Sequence, residues 1–173
     1  VLRTARQPLI VAGGGVHYSL AEDELSEFAG RFGIPVMETV AGKSSLLATD
    51  PAYGGPIGVF GEAAGHALAW EADVVLAIGT RLQDFTTESA TVFKNPGVRI
   101  VTVNVARFDA LKRGATAVVG DARETLAELG AGLAGWSAPQ EWQATARASI
   151  GEQRTAVAWR TARTDTDVPT YAQ

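Results

Sequence analysis

The run Val74-Val-Leu-Ala-Ile-Gly79 constrains this chain more than any other segment. Five apolar residues in a row, without alternation and closed by a glycine, predict a strand buried on both faces. Such strands belong to parallel sheets covered by helices. In those sheets ligands gather at the carboxyl ends of the strands. Here Thr80, Arg81, Gln83, Asp84 and Thr86 follow the glycine directly. One segment thus predicts both a fold class and a candidate site.

The rest of the chain alternates in the same manner. Leu9 to Ala12 read as a strand running into Gly13-Gly14-Gly15. Ser19 and Glu22 have the spacing of a capping box before Leu25, Phe28, Ala29 and Phe32, and Gly33 stops that helix. Val36 to Thr39 follow as a strand. A loop-rich section holds a short helix over Ser44 to Ala48, ended by Asp50-Pro51, and a brief strand over Tyr53 to Ile57. Glu62 to Glu71 read as a helix burying Ala64, Ala67 and Leu68. After the central strand come a strand over Arg99 to Val105, one helical turn over Phe108 to Lys112, and a strand over Ala117 to Val119. Asp121 then caps a helix with Glu124 as its box partner and Leu126, Leu129 and Leu133 as its stripe. The expected fold is α/β: a doubly wound, mainly parallel sheet of about six strands with helices on both faces. Residues 1–138 would form this Rossmann-like domain. Pro139 to Arg163 read as a helix with Trp142, Ala146 and Ile150 on one side and an interruption at Gly151. Asp165 to Gln173 read as a linker, so residues 139–173 would lead toward another domain.

Composition removes several functions. With 173 residues, 46% apolar and 20% charged, the chain can bury one ordinary core. A formal charge of −4 argues against nucleic acid or an anionic membrane as partner. The lack of cysteine removes disulfides, thiol catalysis and thiolate metal sites, and suits a reducing cytoplasm. No apolar run approaches the ~20 residues that span a bilayer. The chain starts at Val1 without a methionine, and a piece of a longer protein is expected.

The candidate motifs are incomplete. Gly13 to Gly15 sit where backbone amides approach a phosphate, but Tyr18 stands where the dinucleotide fingerprint needs a third glycine. A tight turn without ligand explains the glycines equally well. Glu38 ends the second strand, where an acid meets a ribose hydroxyl. Arg81 suits a phosphate or carboxylate, or an ion pair with Asp84 or another neighbour. His17 and His66 lack a third ligand at metal-site spacing, and Ser44 and Ser45 lack a nucleophile elbow. Core or interdomain packing is the reading for Trp70, Trp136, Trp142 and Trp159. No catalytic constellation and no metal site is expected within this chain.

Taken in order, Pro8-Leu-Ile-Val-Ala-Gly-Gly-Gly15, Gly33-Ile-Pro-Val36, Ile57-Gly-Val-Phe-Gly61, Ala72-Asp-Val-Val-Leu-Ala-Ile-Gly-Thr-Arg81 and Val119-Gly-Asp121 resemble the central domain of thiamine diphosphate-dependent enzymes of the acetolactate synthase type. Further segments resemble the branch of that family that opens a cyclic trihydroxy-dione in myo-inositol breakdown. They are Glu38-Thr-Val-Ala-Gly-Lys-Ser44, Gly79-Thr-Arg-Leu-Gln-Asp-Phe-Thr-Thr87 and Val103-Asn-Val-Ala-Arg-Phe-Asp-Ala110. Val168-Pro-Thr-Tyr-Ala-Gln173 resembles the entry into the next domain.

The resemblance implies a strand order of 3-2-1-4-5-6 and a cytoplasmic homodimer or homotetramer using thiamine diphosphate and magnesium. Flanking pyrimidine- and diphosphate-binding domains would hold those groups, leaving this domain without catalysis of its own. A 2-oxo acid synthase or decarboxylase of the same family, or an FAD- or ADP-binding module, is the alternative. By resemblance, Gly13, Gly14, Gly15, Gly58, Gly61, Arg81 and Asn104 hold the positions that engage FAD or ADP in some relatives. Lys43, Gln83, Phe85 and Thr86 would face substrate or another domain. Nucleotide-binding relatives carry Asp-Ile-Asp where this chain has Asn104-Val105-Ala106. The loss of two acids removes acceptors for ribose hydroxyls and predicts an empty or vestigial nucleotide site.

Overall fold

The computed structural model describes residues 1–162, apart from the side chain of Ala64. Six strands form one sheet: β1 (Pro8–Ala12), β2 (Val36–Glu38), β3 (Tyr53–Pro56), β4 (Val74–Ile78), β5 (Arg99–Asn104) and β6 (Thr116–Val119). Their order is β3-β2-β1-β4-β5-β6 and every pairing is parallel. The doubly wound sheet and the order implied by the resemblance are both realised. The order reverses beside β1 and β4, which run in register from Pro8 against Val74 to Ala12 against Ile78. All five residues of each of these two strands are buried, as the unbroken apolar runs require.

Seven α-helices complete the described residues: α1 (Gly15–Tyr18), α2 (Glu22–Phe32), α3 (Ala63–Glu71), α4 (Asp84–Thr87), α5 (Arg107–Ala110), α6 (Ala122–Gly132) and α7 (Gln140–Thr161). On one face Leu25, Phe28 and Phe32 of α2 and Leu126 of α6 pack over Ile10, Val36, Leu76 and Val101. On the other, Leu68 and Ala69 of α3 join Trp142 and Ala146 of α7 over Leu9, Val11, Met37 and Val75. Alternate positions along each strand thus feed two separate cores. Gly33, at φ +64°, ends α2 in the left-handed conformation, and its amide donates to the Ala29 carbonyl.

Several local expectations give way to longer-range contacts. No capping box precedes α2. Ser19 closes α1 instead, its amide donating to the Gly15 and His17 carbonyls, and its hydroxyl donates to Asp121 at 2.6 Å. Glu22 turns back to His17. The segment from Ser44 to Ala48 is not helical. Ser44 takes φ +72°, and the preceding turn is a 3-10 helix at Val40–Gly42 capped by the Thr39 hydroxyl. On α3 the buried positions are Gly65, Leu68 and Ala69, whereas Ala67 is half-buried. Gly151 does not interrupt α7, which continues through it because the site is open and a lone glycine only weakens a helix.

Asp121 caps α6 as expected, accepting from the amides of Arg123 and Glu124. Trp142 is buried and donates its indole N–H to the Pro8 carbonyl at 2.8 Å. Trp159 lies open on α7, and Trp70 carries the Lys94 ammonium 3.4 Å over its ring. The expected linker, Asp165 to Gln173, falls outside the described residues.

Candidate functional site

The carboxyl ends of β1, β4, β5 and β6 open onto a cleft of ≈ 570 Å³. It lies at the point where strand order reverses, the usual ligand position in such sheets. Two close turns, after β1 and after β4, form its floor. The Gly13 amide donates to the Ile78 carbonyl and the Gly15 amide to the Gly79 carbonyl. Gly79, at φ +60°, lies so near that a Cβ there would sit 2.5 Å from the Gly15 Cα. The first glycine turn is thus spent on seating β1 against β4. Two of its three amides are engaged inside the protein rather than offered to an anion.

Gly14, Gly15, Arg81 and Asn104 line the cleft among the residues expected at a nucleotide. So do Gln83, Phe85 and Thr86. Gly13 lies beneath it, and Gly58 and Gly61 stand back from it. A Cβ on Gly58 would run into the Phe85 carbonyl, and one on Gly61 into the His66 ring. Lys43 lies apart too, its ammonium 3.4 Å from the Tyr53 hydroxyl.

Asn104 is buried and its amide makes two hydrogen bonds inside the protein. Nδ2 donates to the Thr80 carbonyl at 3.2 Å and Oδ1 accepts from the Ala106 amide at 2.9 Å. It ties the end of β5 to the end of β4. Glu38 is buried as well and does not point toward a ribose. Its Oε1 accepts from the Leu46 amide at 2.9 Å, folding the loop after β2 over the strand end. Its Oε2 makes no hydrogen bond of ordinary geometry. Burial, and then the Glu38 charge, push the Tyr53 hydroxyl above its ordinary pKa.

Arg81 is exposed and donates to Gln83 Oε1 at 3.3 Å rather than pairing with Asp84. Asp84 lies 3.6 Å from Arg113, which also donates to the Leu82 carbonyl and the Thr87 hydroxyl. Arg113 therefore props the β4–α4 loop from below the rim. Sequence reasoning missed this clamp and the Ser19–Asp121 bridge, whose partners stand 26 to 102 residues apart. No local pattern announces either. Ser19 and its backbone partner Ala122 close the β6 side of the cleft. The Ser19 hydroxyl, followed by the cap amides, holds the Asp121 carboxyl below its ordinary pKa.

The cleft offers a nucleotide few free groups beside Arg81. The ribose would meet Asn104, a buried amide with one N–H and one lone pair already used, and the phosphates would meet a turn with two of three amides engaged. Among the described residues no group of three or more metal-ligating side chains comes together. No described helix is long and apolar enough to cross a membrane.

Comparison with known proteins places this architecture. A family model described as "Thiamine pyrophosphate enzyme, central domain" matches residues 1–129. The chain is 48% identical over 129 residues to a 3D-(3,5/4)-trihydroxycyclohexane-1,2-dione hydrolase of Clostridium botulinum (strain Alaska E43 / Type E3), covering 75% of this chain and 20% of that protein. A protein of the same name from Clostridium perfringens (strain ATCC 13124) is 44% identical over 133 residues, 77% of this chain and 21% of the relative. One from Bacillus cereus (strain AH820) is 43% identical over 129 residues, 75% and 20%. The chain thus spans about a fifth of the length of these curated relatives. It belongs to the thiamine pyrophosphate enzyme family, of which it forms the central domain.

Proposed function

We propose that this domain is the scaffold of a larger enzyme that hydrolyses 3D-(3,5/4)-trihydroxycyclohexane-1,2-dione to 5-deoxyglucuronate, a ring-opening step of inositol breakdown. The observation that carries this reading is the 48% identity to a protein named for that substrate. Thiamine diphosphate (the pyrophosphate of the family name), held with magnesium by flanking domains, would supply the carbon nucleophile for C–C cleavage beside a carbonyl. This chain contributes no catalytic residue of its own. Its residues shape and support: Asn104 and Arg113 fix the strand ends and the β4–α4 loop, while Arg81, Gln83 and Phe85 stand exposed at the cleft and Thr86 lines it from a buried position.

The rim supports contact with the flanking pyrimidine- and diphosphate-binding domains. Tyr18, Phe60, Phe85 and Phe108, which follow four different strands, are all exposed. Several open aromatics at one sheet edge are costly unless another surface covers them. Residues 1–138 would be the domain proper. Residues 139–173 would be the helix and linker toward the diphosphate-binding domain, in a cytoplasmic homodimer or homotetramer. The FAD- or ADP-module reading is set aside because Asn104, Gly13 and Gly15 are already engaged. Gly14, Gly58, Gly61 and Lys43 then serve the scaffold rather than a cofactor.

The test is substrate choice by the intact protein with thiamine diphosphate and magnesium. Loss of the cyclic dione, abolished when thiamine diphosphate is omitted, is the expected result. Turnover of 2-oxo acids with the dione untouched would replace the hydrolase reading with a synthase or decarboxylase.

A further inference from the structure

His17 is bound through both ring nitrogens, and both partners only accept. Nδ1 lies 2.7 Å from Glu22 Oε1, in the first turn of α2. Nε2 lies 3.0 Å from the Lys43 carbonyl, in the loop that leaves β2. A neutral imidazole carries one N–H and one lone pair, so it can satisfy one of these acceptors and must repel the other. Only the imidazolium donates to both. From this geometry we infer that His17 is a proton-operated tether that fastens the loop after β2, and so one wall of the cleft, to the first glycine turn.

The wall in question consists of Thr39, Val40 and Ala41, which line the cleft two to four residues before Lys43. The loop is also held at Leu46, whose amide donates to buried Glu38. Between Thr39 and Leu46 the His17 bond is thus the loop's contact with α1, beside Lys43 on Tyr53 and Gly42 packed on Ala12. The charged groups facing His17 favour its cationic form. Glu22 on α2 accepts its shortest bond, and Glu38 on β2 adds attraction through space. The Lys43 ammonium turns away to the Tyr53 ring, 5.7 Å from its centroid, and Asp121 at the start of α6 is taken by Ser19.

The bond to Glu22, with the Lys43 carbonyl and the charges of Glu22 and Glu38, holds His17 above the ordinary histidine pKa, against a smaller opposing effect of burial. His17 in turn holds Glu22 below the ordinary carboxylate value. The two shifts describe one interaction. A raised histidine contributes fully below about pH 6.5, and its contribution is lost as pH climbs through the raised value. On the acid side the contribution goes as pH falls through the lowered Glu22 value. When the proton leaves, the charge-assisted bond to Glu22 is the one retained, since such bonds are the stronger. The Lys43 carbonyl is therefore the contact released, and the cleft wall loosens toward alkaline pH.

The inference stands apart from the substrate of the parent enzyme, and its test does not use activity. Amide hydrogen exchange of the intact protein, normalised for intrinsic exchange rates, reads peptides spanning residues 40–46. Between about pH 6 and about pH 8.5, protection of this loop should fall about fivefold, the scale of one released hydrogen bond. Peptides of β4 should hold constant. In His17→Gln the loop should be less protected and its protection independent of pH. Glu22→Gln should move the midpoint to lower pH, because the attraction that raises the histidine is gone. A loop whose protection is level from pH 6 to pH 8.5 in the unaltered protein overturns the tether. So does an unchanged pH dependence in His17→Gln.

Discussion

Gly79→Ala should cost this domain about 2–5 kcal/mol, a large part of the stability of an ordinary domain. Two costs add at one position. Gly79 has φ +60°, where a side chain meets the following carbonyl at a penalty of about 1–2 kcal/mol. Its Cβ would also sit 2.5 Å from the Gly15 Cα and 2.8 Å from the Gly15 nitrogen, and both of those are backbone atoms. Relief would require moving β1 and β4 apart, at the centre of the sheet, where overpacking costs about 1–3 kcal/mol more. Gly30→Ala makes the contrast. That site is exposed on α2 with nothing within 4 Å of the added carbon, so alanine should stabilise by about 0.5–1 kcal/mol. Urea denaturation of the two variants checks both signs. A Gly79→Ala protein as stable as the parent sequence would mean that β1 and β4 do not meet as closely as described.

Trp142→Ala should cost as much or more, about 3–5 kcal/mol. The side chain is 3% exposed, packs in the core formed by Leu9, Val11, Met37 and Val75, and donates to the Pro8 carbonyl. Alanine leaves a large void and an unpaired carbonyl at the start of β1. Phenylalanine fills most of the void but not the hydrogen bond, so Trp142→Phe should cost about 1–3 kcal/mol. Equal and small losses for both variants, read by urea denaturation, would show that α7 is only laid against the fold. A large loss means that the first turns of α7 complete one of the two cores.

Much of this fold was legible because its strands are buried on both faces. Val74 to Ile78 and Leu9 to Ala12 have no polar residue to confuse the pattern, and both are strands in full. Gly33 was legible as a stop, and Asp121 as a cap, because each acts on its own helix. Strand order lay beyond periodicity and came only with the family resemblance.

The errors at polar groups share one cause: each takes a partner that the local pattern does not show. Ser19 and Glu22 carry the spacing of a box, but Asp121 takes the first and His17 the second. Glu38 ends β2 where an acid can meet a ribose, yet it folds inward to the Leu46 amide. Arg81 missed Asp84 because Arg113 stands beside that carboxylate. Within the candidate site, Arg81, Gln83, Phe85, Thr86 and Asn104 were brought together because they follow neighbouring strands. Lys43 and the Gly58 to Gly61 turn were not, because each packs against its own local partner.

The cleft, on this reading, supports the domain without holding a nucleotide. Calorimetric titration of the intact protein with FAD and with ADP, each to about 1 mM, tests that most directly. No saturable heat is expected from either, since Asn104 and the first glycine turn have few groups left to offer. Stoichiometric binding of either ligand with a micromolar Kd would contradict this and return the cleft to the nucleotide-binding members of the family.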